Sequence, residues 1–441
     1  MPRSSTFAEQ RLPLQQHDFL LPVLPSANGP FTFLNPTRLA FTRKPSGSST
    51  DQPQVTGHSD YGDHDEPAED VGFKWTSRNN RKGRHQIEFT PAKDEKTARY
   101  SVPRPTSSPQ EVLKNALKMF TDYPVWDISW LVAYIFVWGS IIWIINAFFV
   151  WLPLPQPGSE FPNEIYAGGG ITAFIGATIF EVGSILLILE AVNENQEGCW
   201  GWAVEELFED SKPHWRLSPS DDACTHHHGN RRNLVGKYST KASSAGNEVK
   251  NGTANGEAAD SKTTTGKRSW VWFPTWKDLR QHYFYELGFL ACLCQLFGAS
   301  IFWISGFTAL PGIYNHLKGA SLNGAYWAPQ IIGGSGFIIS GLLFMLETQD
   351  KWYKPAFGVL GWHIGFWNCV GGIGFTMCPA FGLDTASWAV YESGLATFWG
   401  SWAFMIASVL QLYESLQKHP VDLKSDMNTK KDGQIHDTEA S

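Results

Sequence analysis

Three polar side chains inside apolar stretches have the chemistry to move an ion. Glu181 is the acidic residue deepest in such a stretch, and Asn146 and His363 lie in two others. A carboxyl group in lipid is costly and indicates a functional site or a strong partner, and a histidine titrates near neutral pH. Two interpretations stay open. The three residues form a polar path for a proton or small cation, or they make hydrogen bonds that join helices, with Glu181 protonated.

A central polar segment contains a second group with ligand chemistry, Cys224 followed by His226, His227 and His228. Cysteine and histidine at this density can bind zinc or copper. Adjacent histidines need not form a site, however, and we predict no metal site and no cofactor. The sequence contains no phosphate-binding loop and no hydrolase nucleophile or zinc motif, so we expect no enzyme. The net charge of −7 is spread over both signs and predicts no nucleic-acid partner.

The most informative pattern is a motif that occurs three times and ends each time in glutamate. Counted from an opening glycine, phenylalanine stands at offset 4, a small residue at offset 7 and glutamate at offset 14. At about 100° per residue these offsets fall on a single helix face. The three copies contain Gly176, Phe180, Gly183 and Glu190; Gly333, Phe337, Ser340 and Glu347; and Gly400, Phe404, Ala407 and Glu414.

This repeated face has two possible roles. Small residues let helix backbones approach closely in lipid, so we favour a packing seam within each helical hairpin over a face that lines a pore. The glutamates close their helices at the C-terminal end, where a negative charge is unfavourable. We therefore predict a salt-bridge partner, such as a neighbouring lysine, rather than an ion site. A weaker motif precedes each copy, at Gly139–Trp143, Ala299–Trp303 and Gly371–Phe375.

The elements that must hold these residues are long apolar helices. Apolar stretches of about 20 to 25 residues are long enough to cross a membrane, and many of the 20 tryptophans stand at their ends, as in an interfacial belt. Short connections join the stretches in pairs. We predict an all-α membrane protein with about six transmembrane helices, arranged as three hairpin repeats of the same orientation, at 128–151, 167–190, 285–309, 328–347, 357–378 and 388–411.

Lysine and arginine determine the predicted orientation. Loops 152–166 and 379–387 contain neither residue, whereas the other ends of the helices carry several. By the positive-inside rule, both termini are expected in the cytoplasm. The predicted domains are a disordered tail (1–107), an interfacial helix with the first hairpin (108–192), a low-complexity polar insert (193–274), the second hairpin (275–348), the third hairpin (349–416) and a disordered tail (417–441).

The hairpin pattern resembles the YrhK-like domain, a small two-helix membrane domain. The first helix carries Val137-Trp-Gly-Ser-Ile-Ile-Trp143, and the second carries Phe180, Gly183, Ser184 and Leu186. The resemblance implies three copies of a two-helix unit, and it implies no activity and no site residues.

These features predict a multi-pass integral membrane protein that acts as a scaffold or organising protein. Its partners would be the lipid bilayer and proteins that bind the cytoplasmic tails. The alternative is a small-ion transporter or channel that uses Glu181 and His363. The sequence leaves open whether the protein lies in the plasma membrane or an endomembrane, and which oligomeric state it adopts.

Overall fold

Six long helices dominate the fold. A computed structural model describes residues 20–43, 71–84, 86–89, 100–101, 108–194, 200, 203–204, 270–416 and 421–422. The all-α membrane fold and its six membrane-spanning helices are confirmed, since all six are long and apolar enough to cross a bilayer. They are α3 (Ile128–Trp151), α4 (Gly170–Val192, preceded by a wider helical turn at Glu164–Gly169), α6 (Leu287–Thr308), α7 (Ala328–Glu347, preceded by turns at Ala320–Leu322 and Asn323–Trp327), α8 (Leu360–Gly382) and α9 (Ser387–Ser415).

The six helices form a closed ring in chain order. Each packs against the next, and α9 closes the ring by packing against α3. Helices α3, α6 and α8 begin, and α4, α7 and α9 end, at one face of the bundle, which we call the terminal face. Large apolar side chains such as Trp138, Val182 and Phe297 are exposed around the outside of the ring, as expected for a surface in contact with lipid.

The repeated glycines and phenylalanines pack the two helices of each hairpin together. A Cβ atom on Gly139 of α3 would lie 2.5 Å from the Phe180 ring. A Cβ on Gly371 of α8 would lie 2.7 Å from the Phe404 ring. The phenylalanine at offset 4 of the motif therefore occupies the space that a glycine leaves open on the partner helix.

The second hairpin corrects the alignment of the weaker motif. A Cβ on Gly298 would lie 3.2 Å from the Phe337 ring, and one on Gly333 would lie 2.7 Å from Phe302 Cβ. The counterpart of Gly139–Trp143 is thus Gly298–Phe302, and the predicted Ala299–Trp303 was wrong by one residue. Trp303 lies elsewhere and donates a 3.0 Å hydrogen bond from Nε1 to Thr178.

Two layers of aromatic rings fill the axis of the ring. The Phe180, Phe337 and Phe404 ring centroids lie 5.4–6.4 Å apart. The other layer consists of Trp143, Phe302 and Phe375, with centroids 4.8–5.7 Å apart. Each layer takes one side chain from each hairpin. The motif face therefore points at the shared axis, and aromatic packing occupies the place where a pore would run.

A small antiparallel sheet lies outside the bundle and was not predicted. Its strands are β1 (Leu20–Asn28), β2 (Arg38–Arg43), β3 (Val71–Thr76) and β4 (Gln86–Phe89), in the order β1-β2-β3-β4. The expectation of disorder throughout 1–107 was wrong for these segments. Strands this short gain stability by packing, and Leu39, Phe41 and Trp75 are buried.

The sheet is fixed to the terminal face of the bundle. The Asn35 amide donates a 2.9 Å hydrogen bond to the carbonyl of Tyr285, just before α6. Arg38 pairs with Asp350 and donates to the carbonyl of Thr348, between α7 and α8. The sheet thereby contacts two of the three hairpins.

Two short helices lie on the same side, and the first of them belongs to the segment predicted to form an interfacial helix. Helix α2 (Pro109–Lys118) leaves Leu113 and Leu117 exposed. Helix α5 (Trp276–Gln281) begins at Thr275, whose hydroxyl accepts from the Asp278 amide at 3.2 Å and donates to its carboxylate at 2.8 Å.

Two further contacts hold chain segments to this face. The Asn193 side chain bonds both the amide and the carbonyl of Val271, at 2.7 and 2.8 Å, so the two ends of the polar insert are joined. Val421–Asp422 pairs as a strand (β6) with Tyr100–Ser101 (β5). The expectation of disorder over 417–441 was wrong for those two residues. Cys224 and His226–His228 lie outside the described residues.

Candidate functional site: a buried ion-pair cluster

The turn between β3 and β4 carries a short basic segment into the centre of the terminal face. Residues 77–84, which we call the plug, comprise helix α1 (Ser77–Arg81) and the following turn. Thr76 begins the helix, because its hydroxyl accepts from the Asn79 amide at 3.2 Å. Gly83 has a φ of 60°, the left-handed conformation that glycine adopts without strain and that turns the chain back into β4.

The three repeated glutamates converge on this plug. Glu190 at the end of α4 contacts Lys82 Nζ at 3.1 Å and Arg81 at 3.4 Å. Glu347 at the end of α7 contacts Arg81 at 2.8 Å and accepts a 2.8 Å hydrogen bond from Ser77. All these charged side chains are at most 4% exposed. Arg81 thus bridges the first and second hairpins.

The third hairpin joins through Glu414 at the end of α9. Its carboxylate contacts Arg78 at 2.7 Å and Arg84 at 2.8 Å. The Arg84 side chain is 25% exposed, whereas that of Arg78 is only 6% exposed. Arg84 is therefore at the rim of the cluster and Arg78 inside it.

The buried charges of the cluster balance. Three buried carboxylates meet three buried cations, Arg78, Arg81 and Lys82. Buried charges are costly unless paired, and losing one partner leaves the other uncompensated. Cations at three converging helix C-termini are also favourable for the helix dipoles. The predicted salt bridges of the glutamates are therefore present, but their partners come from the N-terminal tail rather than from neighbouring lysines.

The two central cations differ in their response to burial. Burial alone would lower the pKa of Arg81, but the carboxylates of Glu347 and Glu190 raise it above its ordinary value. For Lys82, burial holds the pKa below its ordinary value, although Glu190 acts in the opposite direction. Arg81 is therefore a permanent charge, and Lys82 is the group that can lose its proton as pH rises.

A small cavity lies between the plug and the aromatic layers. It has about 20 Å³ of space that the centre of a water molecule can reach, enough for one water. Phe136, Gln295 and Asn368 line it from equivalent positions, three residues before the motif glycine of their helices (139, 298 and 371). Two amides thus face the plug at the axis, and the aromatic layers close the axis beyond them.

The three residues of the possible polar path have separate partners. Glu181 accepts a 2.8 Å hydrogen bond from Ser300, between α4 and α6. Asn146 donates to the carbonyl of Gly169 at 2.6 Å, near the face opposite the plug. His363 contacts the carbonyl of Phe357 at 2.8 Å, at the beginning of α8.

These contacts do not bring the three side chains together. Asn146 is the nineteenth residue of α3 and His363 the fourth of α8. With a rise of about 1.5 Å per residue, they are more than about 20 Å apart in depth. The contact of Glu181 with Ser300 is of the kind that joins helices.

Sequence reasoning missed the cations of the plug, since it treated the whole N-terminal tail as disordered. The signal was present in Arg78-Asn-Asn-Arg-Lys82, a dense basic run between two segments of alternating apolar residues, Val71–Thr76 and Gln86–Phe89. Three recurring carboxylates require cations, and this run is where the tail supplies them.

Comparison of the chain with protein-family models, curated proteins and solved structures gives no significant match.

Proposed function

We propose that the protein is a membrane scaffold, in which the helix ring is an anchor that holds polar segments at one face of the bilayer. The observation that carries this proposal is the filled axis. Two aromatic layers and a buried ion-pair cluster occupy the positions that a conduction path would need. Such a core suits a static bundle better than a protein that must open to move an ion.

The three hairpins are copies of one unit, arranged about an axis normal to the membrane. The equivalent contacts of Gly139 with Phe180, Gly298 with Phe337 and Gly371 with Phe404 support this interpretation. So does the convergence of the glutamate that ends each copy. The resemblance to the YrhK-like two-helix domain follows from the same motif and remains part of the proposal.

The polar segments all leave the bundle at the terminal face. The sheet contacts that face, the ends of the insert meet there at Asn193 and Val271, and Val421–Asp422 pairs with the strand that precedes α2. The excess of lysine and arginine on this side favours a cytoplasmic location. A scaffold of this design would bind cytoplasmic proteins through the insert and the tails.

The test replaces residues 205–268 of the insert with a glycine-serine linker of equal length. Proteins crosslinked to the full chain in native membranes are compared with those crosslinked to the variant, and thermal unfolding in detergent checks the bundle. We expect a reproducible set of partners to disappear while the unfolding temperature is unchanged. An unchanged set of partners, in this variant and in one truncated after residue 422, would overturn the proposal.

Transport along Glu181 and His363 is the competing function, and flux measurement separates the two. Purified protein in liposomes is assayed for proton and potassium flux, with Glu181→Gln beside the wild type. The scaffold proposal predicts no flux from either form above protein-free liposomes. Flux that Glu181→Gln abolishes would establish a transporter instead.

A further inference from the structure

A cluster of metal-ligating side chains lies beside the plug. Glu194, His282 and Glu286 bring one ligand atom each to within 4.8 Å of one another. Glu194 follows α4, and His282 and Glu286 flank the turn that leads into α6, so the cluster joins the first two hairpins. Glu286 is 6% exposed, and the other two are partly buried.

The orientation of Glu286 is the first sign that this cluster serves a ligand. Glu286 and Asp127 occupy equivalent positions, each twelve residues before the motif glycine of its helix (298 − 286 and 139 − 127). Asp127 caps α3 by accepting from the amides of Ser129 and Trp130 at 2.9 and 3.2 Å. Glu286 makes no side-chain capping bond, and its carboxylate lies 3.0 Å from His282 Nε2.

Asn80 of the plug supplies an independent observation. It is 2% exposed, and its amide nitrogen lies 2.6 Å from a Glu194 carboxylate oxygen. Its amide oxygen is buried without a hydrogen bond to the described residues. Oxygen and nitrogen of an amide exchange places on a flip. A flipped Asn80 would direct this oxygen at the Glu194 carboxylate, as a co-ligand of a cation does.

We propose that Glu194, His282 and Glu286 bind one divalent transition-metal ion, for which zinc is the best fit, with Asn80 or water as the fourth ligand. Buried charges are paired or coordinate metals, and one divalent ion at this position would bind both carboxylates. An imidazole in the set selects zinc or a related transition metal over calcium and magnesium, which take oxygen ligands.

The distances are compatible with one ion. Two ligands at about 2.1 Å from zinc are about 3.0 Å apart at a right angle and about 3.4 Å apart in a tetrahedron. The His282–Glu286 separation of 3.0 Å already meets this requirement. The most widely separated pair of ligand atoms lies within 4.8 Å. These two atoms reach the tetrahedral distance by moving about 1.4 Å closer, a shift that a glutamate side chain makes by a change of rotamer.

Bound metal would hold the plug in place. Asn80 belongs to the plug, Glu194 to the end of α4, and His282 and Glu286 to the beginning of α6. An ion that all of them contact stabilises the folded state by mass action, since the ligands are separated in the unfolded chain. This inference is independent of the scaffold proposal, because it requires only the folded chain.

The test measures zinc binding by the full chain, purified without a histidine tag. Because Cys224 and His226–His228 could also bind zinc, they are first replaced by serine and alanine. We expect one zinc per chain by equilibrium dialysis, a zinc-dependent rise in unfolding temperature, and neither effect with magnesium or calcium. Glu286→Gln and His282→Gln should each weaken binding at least about tenfold, whereas His316→Gln, an exposed histidine on the opposite face, should not.

X-ray absorption of the zinc-loaded protein identifies the zinc ligands directly, without any substitution of the proposed ligands. We expect nitrogen and oxygen ligands only, with the scattering signature of one imidazole. Sulfur ligands, more than one imidazole, or no bound zinc would overturn the proposal.

Discussion

Replacing Arg81 with methionine tests the energetic role of the plug most sharply. The change keeps most of the side-chain volume and removes a charge that is 2% exposed and contacts Glu347 and Glu190. Among the described residues, Glu347 would keep its hydrogen bond from Ser77 alone. Removing one partner of a buried ion pair costs about 3–5 kcal/mol, and we expect a loss of this size.

The matched control is Arg84→Met, which removes the same charge at the rim. Arg84 is 25% exposed, and Glu414 retains Arg78 after the change. A partly exposed pair contributes about 1 kcal/mol or less. Unfolding is measured for both variants by denaturant titration in the same detergent. Equal losses for Arg81→Met and Arg84→Met would refute the account of a buried, charge-balanced cluster.

A double substitution separates the ion pair from packing. In Arg81→Met combined with Glu347→Gln, the uncompensated carboxylate is gone. The two changes should therefore cost less together than the sum of the single variants, by about 1–3 kcal/mol. Additive losses would show that Arg81 acts through packing alone.

Three further predictions concern the helices and the plug. A Cβ atom on Gly183 would lie 3.1 Å from an aromatic ring, so Gly183→Leu should destabilise the bundle by about 1–3 kcal/mol. The control Gly312→Leu, at a position with nothing within 4 Å, should leave stability unchanged. Thermal unfolding of the two variants tests this prediction. Glu181→Gln keeps an acceptor for Ser300 and should change the unfolding temperature by less than about 2 °C. The pKa of Lys82 is lowered in the folded state. At pH values between this lowered pKa and the ordinary pKa of lysine, the unfolded chain therefore binds more protons than the folded chain. Stability should thus rise with pH across this window, and Lys82→Met should abolish the rise, as pH-dependent unfolding would show.

The membrane helices could be predicted because apolar length is a local property. The ends of α3 and α7 coincide with the predicted spans, and the motif face was found from its offsets alone. The alignment of the weaker motif was wrong in the second hairpin because Gly298, Ala299 and Ser300 are all small. Two alignments were therefore possible, and only the contact of Gly298 with Phe337 distinguishes them.

The plug could not be predicted in the same way, because its stability comes from contacts far along the chain. Arg81 pairs with Glu190 and Glu347, which lie 109 and 266 positions later. Short strands such as Val71–Thr76 and Gln86–Phe89 have little stability alone. The sequence predicted that the terminal glutamates need cations, but it did not indicate that the tail folds to supply them.

The most direct test of the closed axis is cation flux through a protein whose plug is neutralised. Arg78, Arg81 and Lys82 are changed to glutamine together with Glu190, Glu347 and Glu414, so that no buried carboxylate loses its partner. The folded variant is reconstituted in liposomes, and potassium flux is compared with the wild type. An ionophore added at the end verifies the gradient. We predict no flux from either protein, since the aromatic layers of Phe180, Phe337 and Phe404 and of Trp143, Phe302 and Phe375 still fill the axis. Flux that appears when the plug is neutralised would contradict the account and show that the plug closes a channel.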